Sequence, residues 1–147
     1  MKLTTKGRFA VTALLDIAMN HGESVPITLQ NISTRQGISL SYLEQIFVKL
    51  RRGGMVNSHK GPGGGYVLAK SLIDTRISDI IKAVDDDMDA RSCGGKSNCQ
   101  ANRKCLTHDL WHDLTNHIYS YLDNVNLHSL IHQPHNETQI IFQKKSA

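Results

Sequence analysis

The sequence predicts a mainly α chain with one small β-hairpin: a winged helix-turn-helix followed by a long C-terminal dimerisation helix. Three observations lead there. Apolar residues recur at helical spacing through the first 50 positions, with a glycine between two of the helices. Four glycines in the five residues 61–65 separate two strand-like runs, and a longer apolar stripe occupies residues 106–125.

Phe9, Ala10, Ala13, Leu14, Ile17 and Ala18 share one helical face, and Asn20-His21-Gly22 closes that helix. Thr28 suits the N-cap of a short second helix holding Leu29 and Ile32, and Gly37 its left-handed end. Ser39 or Ser41 then caps a third helix running to about Arg52, with Leu43, Ile46, Phe47 and Leu50 as its core stripe. Its other face carries Ser41, Tyr42, Glu44, Gln45, Val48, Lys49 and Arg52. Polar groups near the N-terminal end and cations near the C-terminal end suit a recognition helix in a major groove.

Gly53-Gly54 stops the third helix, and Met55–His59 and Tyr66–Ala69 read as paired strands. The tip between them is Lys60-Gly61-Pro62-Gly63-Gly64-Gly65. No Gly-Lys-Ser/Thr follows and no helix opens there, so it is no nucleotide phosphate loop. A bare wing tip with Lys60 at its base can approach a phosphate backbone or a minor groove, through Gly61, Gly63 and Gly64.

Thr75 is the expected cap of a fourth helix bearing Ile77, Ile80, Ile81 and Val84, which Asp85-Asp86-Asp87 ends. A Gly-, Ser- and Asn-rich loop follows, and then a helix expected from about Arg103 to Asn124, some 22 residues and roughly 33 Å long. Its stripe of Leu106, Leu110, Trp111, Leu114, Ile118, Tyr121, Leu122 and Val125 outruns the small domain, so a second copy of the helix is the expected partner. The organisation expected is a DNA-binding domain over 1–85, a metal-binding loop over 86–102, a dimerisation region over 103–133 and a flexible tail over 134–147.

Charge divides the chain in the same way. Residues 1–70 hold nine Lys/Arg against three acids, and residues 71–147 eight against ten. The basic half is therefore the one that meets a polyanion. No apolar run reaches the roughly 18 residues that span a bilayer, and the N-terminus lacks the features of a signal peptide. A cytoplasmic protein without a membrane partner is expected.

All three cysteines lie between residues 93 and 105, which points to metal or redox chemistry and not to a disulfide framework. Cys93-x5-Cys99-x5-Cys105-x2-His108 supplies three thiolates and an imidazole, with Cys105 and His108 on one face at the start of the long helix. Such a set suits tetrahedral Zn2+ or a [2Fe-2S] cluster, and spacing does not separate the two. Both centres carry about −1 formal charge, and a helix N-terminus, Arg103 and Lys104 would offset either. His112 and His117 read as surface histidines. Catalysis by a cysteine nucleophile would need an open site, not three thiolates held together. The chain therefore reads as a non-enzyme. A redox carrier whose basic half binds a protein is the reading from another class.

Together these features resemble the IscR family of iron–sulphur cluster regulators. The resemblance is carried by Leu3-Thr4-Thr5-Lys6-Gly7-Arg8-Phe9-Ala10, by the run Gln36 to Gln45, by Gly61-Pro62-Gly63-Gly64-Gly65-Tyr66, and by Cys93 to His108 ending Cys105-Leu106-Thr107-His108. It implies a homodimer on double-stranded promoter DNA, holding a [2Fe-2S] cluster through Cys93, Cys99, Cys105 and His108. It also implies that the cluster-assembly machinery supplies the cluster and that its own genes are repressed when clusters are plentiful. The family often has arginine where this chain has Lys60, which keeps the charge but loses the planar fork. Glu44 is a candidate for the switch in site preference, because a carboxylate can accept from cytosine N4 or repel phosphate.

Overall fold

The computed structural model describes residues 3–20, 24–84 and 86–133. His21, Gly22, Asp85 and the predicted flexible tail after Gln133 lie outside the described residues. Among the described residues six helices and one hairpin follow in order: α1 (Thr5–Met19), α2 (Leu29–Gln36), α3 (Leu40–Arg52), β1 (Val56–His59), β2 (Gly65–Leu68), α4 (Ile77–Ala83), α5 (His108–Asp123) and α6 (Leu127–Ile131). The mainly α winged helix-turn-helix is as predicted.

Local chemistry places the first elements. The Thr4, Thr28 and Ser39 hydroxyls cap α1, α2 and α3 by accepting from Gly7, Asn31 and Tyr42 amides. Gly37 ends α2 at φ 66°, where a Cβ would be strained. Ala13, Leu14, Ile17, Ile32, Leu43, Phe47 and Leu50 are completely buried, so the stripes read from the sequence form one core. Asp16 is buried among them, and its carboxylate accepts from Arg35 Nη2 at 2.6 Å, Arg35 Nε at 3.0 Å and Gln36 Nε2 at 2.7 Å. This clamp ties α1 to α2 inside the helix-turn-helix.

The wing is a two-stranded antiparallel ladder pairing Val56 with Leu68 and His59 with Gly65. Ile27 adds an isolated rung on the other side of β2, exchanging backbone hydrogen bonds of 2.9 and 2.8 Å with Tyr66. Gly65 makes this approach possible, since a Cβ there would meet the Ile27 backbone.

The second half differs from expectation in three places. Thr75 does not cap α4. It is buried and donates to the Ser71 carbonyl at 2.8 Å, while Arg76 takes the cap position without a side-chain bond. The long helix begins at His108 instead of about Arg103, which leaves 16 residues and roughly 24 Å. Residues 100–103 form a tight pair of backbone bonds that competes with helix there. Third, α6 follows α5 directly, and Leu127 enters the core while its amide and that of Ile77 pair with Thr75 and Val125 carbonyls. Among the described residues no helix is long and apolar enough to cross a membrane.

Candidate metal centre and nucleic-acid interface

Turns in the 93–107 segment bring the cysteines to the N-terminus of α5. Gly94 and Gly95 take φ of 59° and 86° and Ser97 takes 58°, which curls the loop so that its amides face inward. Sγ of Cys93, Sγ of Cys99 and a ring nitrogen of His108 all lie within 4.8 Å of one another. His108 Nδ1 is 3.6 Å from the Cys93 sulphur and 3.5 Å from that of Cys99, and Ser97 Oγ is 3.5 Å from Nε2. His108 is buried, and the cysteines are half-buried.

Cys105 stands one step outside this trio. It precedes α5, so the shared helical face expected for Cys105 and His108 does not exist; instead the His108 amide donates to the Cys105 carbonyl at 3.2 Å. The Cys105 amide donates to the Cys99 sulphur at 3.0 Å, and its own thiol lies 3.8 Å from Thr107 Oγ1.

The loop favours negative charge on two of its three sulphurs. Burial opposes ionisation of Cys93, yet the Gly95, Ser97 and Asn98 amides and the Cys99 thiol outweigh it and keep its thiol below the usual range. The hydrogen bond from Cys99, against burial and with help from Thr107, lowers Cys105. For Cys99 the Cys105 amide works downward, but its shared bond with the Cys105 thiol, burial and the two neighbouring sulphurs push it up. Soft donors gathered at one point, with amides directed at them, fit a thiophilic metal or an iron–sulphur group.

The segment before Cys93 was not singled out by sequence reasoning. Asp86, read only as part of a helix stop, is buried and accepts from the Thr4 amide at 3.1 Å and the Thr4 hydroxyl at 2.8 Å. Residues 87–90 lie along α5: Tyr119 donates to Asp87 at 3.0 Å, and the Ala90 amide to Thr115 at 2.9 Å. His112, read as a surface histidine, is half-buried and 3.0 Å from Arg91 Nη1. No periodicity or motif signals these contacts.

On the candidate DNA face, Ser39, Ser41, Glu44, Gln45 and Arg52 are exposed along α3. Tyr42 and Lys49 are half-buried there, and the Tyr42 ring meets Phe9 edge-on at 5.7 Å. Lys60, Gly61 and Gly63 are exposed at the wing tip. Gly61 and Gly63 have φ of 89° and 73°, and the half-buried Gly64 donates to the Gly61 carbonyl at 2.9 Å.

Leu106, Leu110, Trp111 and Tyr121 remain exposed on and before α5. Beside them a groove of about 650 Å³ runs between α1, α4 and α5, lined by Leu3, Val11, Ile77, Ile81, Ile118 and Leu122 among others.

Residues 3–133 match the model of the Rrf2 family, described as iron-dependent transcriptional regulators. The chain is 52% identical over 131 residues to the HTH-type transcriptional regulator IscR of Escherichia coli, covering 89% of this chain and 80% of that one. Among solved structures, CymR, the global cysteine regulator of B. subtilis, superposes with a TM-score of 0.75 at 29% identity, over 88% of this chain and 95% of its own. IscR of T. potens gives 0.71 at 30% identity, over 89% and 86%.

Proposed function

The chain belongs to the Rrf2 family of iron-dependent transcriptional regulators, and from that premise we propose that it senses an iron–sulphur cluster and sets its choice of DNA sites accordingly, chiefly repressing cluster-assembly genes. It is a DNA-binding transcription regulator. In this reading residues 1–85 bind promoter DNA, residues 86–102 respond to the cluster and residues 103–133 join two copies.

The observation that carries the reading is the gathering of Cys93, Cys99 and His108 on the same short stretch that reaches α1 through Asp86. Cys93, Cys99, Cys105 and His108 would hold a [2Fe-2S] cluster, Cys105 joining the trio from beside Cys99. When bound, that group supplies a redox-active and labile anionic centre whose presence reports cluster supply. The residues of the chain do the rest. Ordering 93–108 fixes the run 86–91, and Asp86 transmits that order to the N-terminus of α1. A ligand shifts DNA preference only by its difference in affinity for two conformations, so the loop must differ between them.

Ser39, Ser41, Tyr42, Glu44, Gln45, Lys49 and Arg52 would face the major groove, with Lys60, Gly61, Gly63 and Gly64 at the backbone or minor groove. The exposed side chains of α5 and the groove beside them favour a homodimer about a two-fold axis. The cluster-assembly machinery would deliver the cluster.

A structural Zn2+ on the same donors is the second reading, favoured by the compact trio. Protein purified without oxygen should show charge-transfer absorption with matched iron and sulfide, and its DNA affinity should fall steeply with salt. A colourless chain with one zinc would leave the reader in place and reject cluster sensing.

A further inference from the structure

Arg91 is held far more tightly than a loop arginine near a surface requires. Its Nε and Nη2 donate to the two Asp89 carboxylate oxygens at 2.8 and 2.7 Å, and its amide donates to the same carboxylate at 2.8 Å. Its third nitrogen, Nη1, is 3.0 Å from His112 Nδ1. The ion pair is largely covered, with side-chain exposures of 19% for Arg91 and 11% for Asp89. By contrast, the neighbouring Lys104–Asp109 pair is exposed at both ends.

The surroundings are shaped to this guanidinium. Gly95 lies directly against it: a Cβ there would stand 2.9 Å from Nη1 and 3.0 Å from Cζ. Thr115 is buried on α5 and donates to Asp89 at 3.3 Å. The His112 ring lies parallel to that of His108, at 12° and 6.4 Å, one helical turn along. Asp89, Arg91, His112 and Thr115 thus fasten the residues before Cys93 to the helix that carries His108. Arg91 stands two positions before Cys93 on the same arm of the loop.

We infer that Arg91 is a positioning residue for the metal centre, holding the Cys93 arm against α5 and placing a fixed positive charge beside an anionic group. The inference rests on the metal-centre reading above and adds a residue outside the four ligands. Only a planar fork satisfies both Asp89 oxygens and His112 together; a lysine keeps the charge but not the fork. A cluster gains negative charge on reduction, so a fixed cation stabilises the reduced form more and raises the reduction potential.

The test uses the full chain loaded without oxygen, as wild type, Arg91→Gln and Arg91→Lys. Two quantities are measured: the rate at which bound metal passes to a chelator, and the midpoint potential of the cluster. Arg91→Gln should release metal about tenfold faster and shift the redox equilibrium about tenfold toward the oxidised form, about 59 mV for one electron. Arg91→Lys should recover most of the potential but little of the release rate, which separates charge from clamp. It also retains a cation if the glutamine variant fails to fold. Variants that match wild type in both quantities overturn the inference and leave the metal centre standing. A wild-type chain that binds neither iron nor zinc overturns both. If the site takes zinc, the release rates alone decide.

Discussion

Replacing Arg35 with methionine isolates the clamp that holds the helix-turn-helix together. The Asp16 side chain is 1% exposed and Arg35 is 32% exposed. Removing the guanidinium strips the carboxylate of its hydrogen bonds from Nε and Nη2 and leaves Gln36 Nε2, at 2.7 Å, as its remaining side-chain donor. Breaking a buried ion pair by deleting one partner costs about 3–5 kcal/mol. Water reaching the half-open side of Arg35 offsets part of that, so about 2–3 kcal/mol is expected. For a chain of this size the melting temperature should fall by roughly 4–12 °C. Urea unfolding followed by circular dichroism measures the loss, at fixed protomer concentration because association adds to stability. The midpoint should drop at constant slope, and adding Asp16→Leu should restore much of the difference by removing the stranded charge. An Arg35→Met chain within about 0.5 kcal/mol of wild type would refute the clamp as a structural element.

Three further outcomes are expected. Lys60→Ala should weaken binding to all DNA sequences alike and reduce the salt slope by about one, whereas Glu44→Ala should change the ranking of sites; competition binding over several operators at three salt concentrations distinguishes them, and an unchanged ranking rejects the Glu44 role. Hydrogen bonds from Arg91, working against burial, hold the Asp89 carboxyl down from about 3.8 to about 2. A lowered value stabilises the fold above the unfolded-state pKa and loses that contribution as pH falls through the folded one. The stability gap between wild type and Asp89→Asn should therefore be flat above about pH 5 and close between about pH 4 and 2; a gap independent of pH would show that the charge of Asp89 contributes nothing.

What the sequence made legible was what short-range chemistry decides. Thr28, Gly37 and Ser39 set helix ends through atoms within three or four residues, and each does so in the structure. Leu43, Ile46, Phe47 and Leu50 declare a buried face by spacing alone. The gathering of Cys93, Cys99 and His108 was legible because residue type and local spacing both pointed there. Partners distant in the chain were not. Asp86 answers Thr4 across 82 positions, and Ala90 meets Thr115 across 25. The start of α5 was misplaced because apolar periodicity continues through Leu106, which is fully exposed. Thr75 looks like a cap and serves as a buried strut to Ser71, a choice set by packing and not by propensity.

The rung between Ile27 and Tyr66 has a consequence for how sites are told apart. It fastens the wing near its tip to the residue that precedes the second helix's cap, so the wing and the helix pair that carries the reading helix share one frame. Such a frame behaves like the jaw of a calliper: it bites as a unit or not at all, and a distorted groove cannot be accommodated by bending one arm. In a two-fold pair the adjustable dimension is then the gap between two rigid jaws. If the chain pairs and senses a cluster as proposed, operators that differ in half-site separation or in the bend between half-sites are the ones it should tell apart.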